Sequence, residues 1–244
     1  ELLNRSFSKA VDTSRNEVTY LRAFSLDKAG RRDEAIAGYL TIPDGIESYY
    51  GWLATARLQE LAGREKPEIV ARRQSAVRSA IASIASSYPA PYRDSILKAA
   101  KKRQIDPRFI LALIKQESVF RPTAKSPAGA RGLLQLTMDA AVKFGPSAGF
   151  RSLSENELYQ PDTSITVGAE YLEHLVDLFP KMLEPVAASY NGGEDNVARW
   201  LKRSKQDDPG VFTSEVGFDE TKGYVQKVMS NYRVYRELYT AELI

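Results

Sequence analysis

The stretch FILALIKQES, residues 109–118, decides the fold of this chain because it joins an unbroken apolar run to one carboxylate. If the stretch is helical, Glu117 lies three, four and seven positions after apolar residues of the run, so its carboxyl shares their face. Removal from water disfavours the charged form of a carboxyl. We therefore expect the pKa of Glu117 to be raised, as a general acid working near neutral pH requires.

The sequence after Glu117 is needed to distinguish a catalytic from a structural role for this residue. A single glutamate on a helix is more commonly a salt-bridge partner or a solvated side chain than a catalytic group. The next segment, SVFRPTAKSPAGARGLLQLT (residues 118–137), is rich in small residues. It predicts a loop followed by a second helix. The two segments together indicate a helix that delivers an acid into a groove.

Composition excludes several kinds of chemistry. The 244 residues are 43% hydrophobic, which suffices for a large core in one or two domains. The chain has no cysteine and one histidine, so cysteine nucleophiles, disulfides and zinc clusters are excluded. A serine triad would depend on His174, which lies in the amphipathic segment 167–179. We therefore expect no metal and no organic cofactor, and chemistry carried by carboxylates, hydroxyls, amides and backbone.

Charge and hydropathy argue against two further classes of partner. No apolar run approaches the roughly 18 residues that span a bilayer, so no membrane span is predicted. A net charge of +3 is too small to indicate a nucleic-acid partner. The first residue is Glu1, and no signal-peptide pattern follows it. Whether a signal peptide was removed is open, as is the oligomeric state.

Apolar residues recur at three- and four-residue spacing along the chain, which predicts an all-α fold. Residues 21–40 and 47–63 resemble one unit of a helical repeat. The two prolines of SSYPAPY, residues 86–92, predict a domain boundary. We expect a helical superhelix or linker region over 1–87 and a catalytic domain over 88–244. In the latter, helices are predicted near 92–103, 107–118, 130–143, 162–178, 183–190, 195–203 and 219–239.

Several motifs occur in one order after the boundary. SPAGARGLLQ (126–135) follows Glu117, and SYNGG (189–193) and FDETKGYV (218–225) come later. Over about residues 88–240 the chain resembles the catalytic domain of the soluble lytic transglycosylases of the lysozyme superfamily. The resemblance implies a lysozyme-like α-helical domain, preceded here by the end of a helical superhelix. It also implies peptidoglycan glycan strands as the partner, and the periplasm or cell envelope of a bacterium as the location.

The resemblance implies a specific reaction. Members of this family cleave the β-1,4 bond between N-acetylmuramic acid and N-acetylglucosamine without water and leave a 1,6-anhydro end. Glu117 matches their essential acid, which protonates the glycosidic oxygen and then takes the proton of the C6 hydroxyl. Ordinary glycosidases use two carboxylates about 5 to 9.5 Å apart. No acidic residue occurs between Glu117 and Asp139, which fits a single carboxylate.

Five further residues match positions that line the groove or bind substrate in the family, and Tyr224 lies one turn after the last of them. The predicted substrate-binding residues are Ser126, Gln135, Tyr190, Asn191, Glu220 and Tyr224. A structural role in the turn at Gly192 and Gly193 remains an alternative for Asn191. The chain departs from the family in having Thr137 and Met138 with no proline after them. The resemblance therefore does not determine the shape of the groove floor near Thr137.

Two other functions remain as alternatives. A hydrolytic muramidase of the same superfamily would leave reducing ends rather than anhydro ends. A non-catalytic helical scaffold would bind the cell wall without cleaving it, although the intact set of matched residues argues against that. Analysis of the products released from sacculi separates all three.

Overall fold

A computed structural model describes residues 13–205 and 207–244, and it confirms the all-α prediction. No β-strand forms in these residues, and Arg131 makes isolated bridges with Lys125 and Leu136. No helix in the described part is both long and apolar enough to cross a bilayer. The α-helices of this part are α1 (Arg15–Lys28), α2 (Arg32–Leu40), α3 (Tyr49–Ala62), α4 (Pro67–Ser83), α5 (Arg93–Arg103), α6 (Pro107–Ser118), α7 (Met138–Ala148), α8 (Pro161–Leu178), α9 (Leu183–Gly192), α10 (Glu194–Ser204), α11 (Pro209–Glu215) and α12 (Asp219–Leu238).

The helix predicted over 130–143 is wrong in its first half. Residues 130–137 form a turn-rich loop, and α7 begins only at Met138. Gly132 and Gln135 have φ angles of 77° and 46°, which a right-handed helix does not allow. Thr137 then caps α7, its hydroxyl oxygen accepting the Ala140 N–H at 3.2 Å. The short helix α11 was not predicted at all.

The structure divides into two compact units. The first comprises the residues up to Ile84 together with Ala187–Ser230, and the second comprises Ala85–Val186 together with Asn231–Ile244. The helices α9 and α12 each contribute residues to both units. These units are composed differently from the predicted domains 1–87 and 88–244, and that division stays a prediction.

In the first unit, α1 packs on α2 and α3, and α11 packs on α1 and α3. Tyrosines fill this core: the Tyr20 ring lies 5.5 Å from that of Tyr39 and 5.6 Å from that of Tyr50. The fully buried Asp208 accepts from the Tyr20 hydroxyl at 3.0 Å and from Arg57 at 2.7 Å. It also caps α11. Polar side chains therefore hold the start of α11 onto the first helices of the chain.

In the second unit, α5 packs on α6 and α8, and α7 packs on α8. Arg103 of α5, whose side chain is 1% exposed, binds Glu170 of α8 at 2.5 Å. The Tyr235 hydroxyl donates to the Pro89 carbonyl at 3.0 Å, which joins the end of α12 to the proline-rich break before α5. The apolar helix α6 contributes six fully buried side chains, Phe109–Ile114, to the core of this unit.

Candidate active site

The helix α6 places Glu117 at its last turn. The Asp106 carboxylate caps the start by accepting the Arg108 N–H at 2.9 Å, and Pro107 supplies the first helical residue. Every side chain of Phe109–Ile114 is fully buried. Glu117 itself is half-buried, between the buried face and solvent. The apolar run thus anchors the helix, and its last turn carries the carboxyl to the edge of the core.

The backbone directly after α6 is strained. Val119 and Phe120 both have positive φ, 49° and 61°, in the left-handed region that residues other than glycine rarely adopt. Val119 is also β-branched and 61% exposed, so burial of its own side chain does not offset the strain. The Arg121 guanidinium donates to the Ser118 carbonyl at 3.2 Å and thereby closes the helix end. Such strain concentrates at functional sites.

Ser126 and Gln135 both brace the loop that follows. The Ser126 hydroxyl oxygen accepts the Ala130 N–H at 3.0 Å. The Gln135 amide donates to the carbonyls of Ala124 at 3.1 Å and Gly132 at 2.9 Å. Gln135 also has a positive φ of 46°. The structure brings these two predicted residues into one loop and shows a structural use for each side chain.

Close packing fixes this loop on the rest of its unit. A Cβ added to Gly132 would lie 2.0 Å from the Leu158 carbonyl oxygen, so only glycine fits there. The Ser164 hydroxyl of α8 accepts the Leu134 N–H at 3.2 Å. The buried Arg131 binds Glu155 at 2.6 Å. The loop that carries Ser126 and Gln135 is therefore rigidly placed.

A second cluster joins the end of α9 to the first turn of α12. The Thr221 hydroxyl donates to the Asn191 side-chain oxygen at 2.6 Å, and the Asn191 amide donates to Glu220 at 3.5 Å. Asn191 and Glu220 are exposed, whereas Thr221 is 2% exposed. The structure therefore brings Asn191 and Glu220 together at the protein surface, as an amide and a carboxylate available to a polar ligand.

Tyr190 and Tyr224 flank this cluster along their own helices. Tyr190 precedes Asn191 in α9 and is half-buried. Tyr224 lies one turn after Glu220 in α12 and is 8% exposed. Glu117, Ser126 and Gln135 belong to the second unit, and these residues of α9 and α12 belong to the first. That all seven form one groove stays a prediction.

Sequence reasoning missed the buried polar residues that support the second cluster. Thr221 holds Asn191, and the next residue, Lys222, is 3% exposed and binds Glu17 of α1. The motif around Glu220 contains both residues. A lysine in the first turn of a helix was the available signal, because that position disfavours a positive charge.

One cavity lies away from the predicted site residues. A cavity of about 690 Å³ between α1 and α2 is lined by Arg15, Arg22 and Glu34 among others, and none of the predicted site residues lines it. Within residues 13–205 and 207–244, no group of three or more histidine or acidic side chains could hold a metal ion.

Comparison with known proteins identifies the domain. Residues 94–212 match the family model for the transglycosylase SLT domain. The soluble lytic murein transglycosylase of Escherichia coli K12 is 32% identical over 153 residues, covering 61% of this chain and 23% of the relative. A Haemophilus influenzae relative is 30% identical over 238 residues, covering 97% of this chain and 39% of the relative. The chain thus spans less than half the length of these curated relatives.

Solved structures share the fold. A lytic transglycosylase Slt of Pseudomonas aeruginosa, solved as an inactive mutant, superposes with a TM-score of 0.72 at 24% identity, covering 97% of this chain and 48% of that chain. The 70 kDa soluble lytic transglycosylase of E. coli gives a TM-score of 0.72 at 22% identity, with 96% and 47% coverage. These likenesses define a helical protein with the lysozyme-like fold of the lytic transglycosylases. The chain therefore contains a transglycosylase SLT domain over residues 94–212 and is homologous to soluble lytic murein transglycosylases.

Proposed function

We propose that the chain is a peptidoglycan lytic transglycosylase in which Glu117 is the sole acid and base. The position of Glu117 carries the proposal: it is a half-buried carboxyl one turn after a fully buried apolar run, and strained backbone follows the end of its helix. The C-terminal end of a helix dipole disfavours a negative charge, which favours the protonated carboxyl that a general acid needs. The SLT domain match over 94–212 supports the assignment.

The reaction moves one proton through Glu117 and consumes no water. Glu117 donates its proton to the glycosidic oxygen as the bond from that oxygen to C1 of the muramic sugar breaks. The N-acetyl carbonyl of the same sugar stabilises the positive C1. The Glu117 carboxylate then accepts the C6 hydroxyl proton as O6 bonds to C1, which regenerates the protonated acid and yields the 1,6-anhydro product.

The other matched residues would bind the glycan strand. Asn191 and Glu220 present hydrogen-bonding groups at the surface, suited to an acetamido group, a sugar hydroxyl or the peptide stem. The loop that contains Ser126 and Gln135 would present backbone groups to the glycan strand, and the Ser126 hydroxyl would donate a hydrogen bond to it. Tyr190 and Tyr224 would supply a phenol group next to this cluster. We place the reaction in the bacterial periplasm or cell envelope, consistent with relatives named soluble and membrane-bound murein transglycosylases.

Substitution of Glu117 tests the catalytic assignment. Glu117→Gln should abolish the release of soluble fragments from purified sacculi while sacculus binding persists. The amide keeps the size of the side chain but has no acidic proton to donate to the glycosidic oxygen. Asp139→Asn is the matched control, because Asp139 is the next acidic residue in the chain and lies exposed in the first turn of α7. Full activity in Glu117→Gln would refute the assignment. Loss of activity in Asp139→Asn would refute a single-carboxylate mechanism.

Masses of the released muropeptides separate the proposal from its alternatives. The anhydro product is lighter by one water than the reducing product of a muramidase. Reducing ends alone would establish hydrolysis, and binding without any released fragment would establish a scaffold.

A further inference from the structure

A buried ion pair links the first turn of α12 to α1. Lys222 Nζ donates to Glu17 Oε1 at 3.2 Å, and each side chain is 4% exposed. Lys222 comes two residues after Glu220 and directly after Thr221, so it shares the helical turn that carries the candidate binding cluster. Glu17 lies in the first turn of α1, far from that cluster in sequence.

The position of Lys222 has no explanation in the stability of α12 alone. The first turn of a helix disfavours a positive charge, and burial of an ammonium group costs further free energy. A buried ion pair rarely exceeds an apolar pair in its net contribution to stability, but it can fix one register among several. Such a pair can hold α12 in one orientation, because it forms only when the Lys222 side chain faces Glu17.

Glu17 is itself held firmly on the α1 side. Its N–H donates to the Ser14 hydroxyl at 3.1 Å at the start of α1, where a carboxylate is favoured. The Tyr50 hydroxyl donates to Glu17, and its oxygen lies 3.4 Å from the Gly210 carbonyl oxygen of α11. Burial raises the pKa of Tyr50, and the charge of Glu17 raises it further, so Tyr50 stays a donor. Lys222 thus binds a carboxylate that starts from a capped helical turn and accepts a hydrogen bond from Tyr50 of α3.

The neighbours of Lys222 transmit this constraint to the surface. Thr221 holds the Asn191 side-chain oxygen at 2.6 Å, and Asn191 in turn lies 3.5 Å from Glu220. Rotation of the first turn of α12 would move both Thr221 and Glu220 relative to Asn191. We propose that Glu17 and Lys222 are positioning residues, which set the α12 turn so that Asn191 and Glu220 together bind the glycan strand. The proposal rests on the proposed function for its ligand.

Trp200 provides a reporter of the α12 turn that does not depend on activity. Its ring packs against Phe218, the residue before α12, at 5.2 Å between centroids. A Cβ on Gly192, next to Asn191, would lie 3.4 Å from the same indole ring. The chain has two tryptophans, so 5-fluorotryptophan labelling gives two ¹⁹F signals, and a Trp52→Phe variant assigns them.

The experiment compares Glu17→Gln, Lys222→Met and the double variant in the full chain. Each is also made with Glu117→Gln, to measure the Kd for peptide-free glycan strands without cleavage. Arg103→Met is the control, because it removes a buried cation from Glu170 in the second unit. Neutralising both partners often restores stability, which keeps the double variant folded. Thermal unfolding reports the stability of every variant.

We expect the double variant to match wild-type stability and still bind glycan strands about twofold to thirtyfold more weakly, with a shifted Trp200 signal. Arg103→Met should leave both readouts unchanged. Wild-type binding and an unshifted Trp200 signal in the folded double variant would overturn the positioning role. If the wild-type chain releases no fragments and binds no glycan, the proposed function fails, while the Trp200 signal still tests the coupling of Glu17 to the α12 turn.

Discussion

The helix α6 and the first turn of α12 each present a candidate carboxylate, and they are anchored by opposite kinds of interaction. Phe109–Ile114 anchor α6 through six fully buried apolar side chains, and Glu117 follows on the last turn. The first turn of α12 carries the exposed Glu220 and is anchored by Thr221 and Lys222, both buried and polar.

This difference suits the two proposed roles. An apolar anchor is non-directional, and it holds a general acid at the edge of a low-dielectric core. A polar anchor is directional: the Thr221 hydroxyl and the Lys222 ammonium group each require one partner atom in one place. We infer that the acid depends on burial of its helix and that the binding cluster depends on orientation of its turn. The following predictions test this contrast.

Removal of one partner of the buried pair should have the largest effect on stability. Lys222→Met leaves the Glu17 carboxylate buried without its cation, which should lower the free energy of unfolding by about 3–5 kcal/mol. The double variant Glu17→Gln with Lys222→Met should regain most of that loss. Urea unfolding monitored by circular dichroism measures both. An equal loss in the single and double variants would show that apolar packing, rather than charge pairing, holds this turn.

Truncation within the apolar anchor should come next. Ile110→Ala removes buried methyl groups from α6 and should lower the free energy of unfolding by about 2–5 kcal/mol. Val142→Ala in α7 is the control, because Val142 is 67% exposed and its loss should change stability by less than about 0.5 kcal/mol. Urea unfolding compares the two, and equal effects would contradict the apolar anchoring of α6.

The polar cap of α6 should give a smaller, pH-dependent effect. Burial would raise the pKa of Asp106, but hydrogen bonds from Arg108 and Tyr232 lower it below its ordinary value. A lowered folded-state pKa contributes stability above the unfolded pKa of about 3.9, and that stability is lost as the pH falls through the folded-state pKa. Asp106→Asn should therefore lower the free energy of unfolding by about 1.5–3 kcal/mol at pH 7.

The pH profile separates charge from capping in that variant. Thermal unfolding of wild type and Asp106→Asn from pH 7 to pH 2 should show a difference that is full near neutrality and shrinks below about pH 4. A difference that stays constant over the whole range would mean that the Asp106 charge contributes nothing.

The smallest effect on stability should come from Thr221→Val. Valine keeps the shape and removes the hydroxyl that donates to Asn191, a net loss of about 1 kcal/mol because the exposed Asn191 oxygen can bind water instead. Glycan binding should weaken by more than this stability change suggests, because Asn191 loses its orientation. Unchanged Kd for glycan strands would indicate that Thr221 only packs.

The sequence predicts the apolar part of this fold better than the polar part. Helical periodicity and Pro107 locate α6 at its observed bounds, Pro107–Ser118. The periodicity failed over 130–143, where the leucines between Gly132 and Leu136 pack from a loop with positive φ angles. Short-range patterns cannot distinguish a buried loop from a buried helix when the burial comes from distant contacts such as Leu134 on Gly168.

Partners distant in the chain were beyond prediction. Glu17 and Lys222 are 205 residues apart, and Tyr20 and Asp208 are 188 apart. Neither pair leaves a local signal beyond the unfavourable charge of Lys222 at the start of a helix. Sequence motifs therefore predict which residues carry the proposed chemistry, whereas the contacts of Thr221, Lys222 and Glu17 are seen only in the structure.

Cleavage of sacculi in H₂¹⁸O tests the single-carboxylate mechanism of Glu117 most directly. Because O6 of the muramic sugar replaces water as the nucleophile, the wild-type chain should release muropeptides with anhydro ends that contain no ¹⁸O, and Glu117→Gln should release none. A hydrolytic enzyme would place one ¹⁸O at each new reducing end. Incorporation of the label into the products would contradict the account, whatever the rate of cleavage.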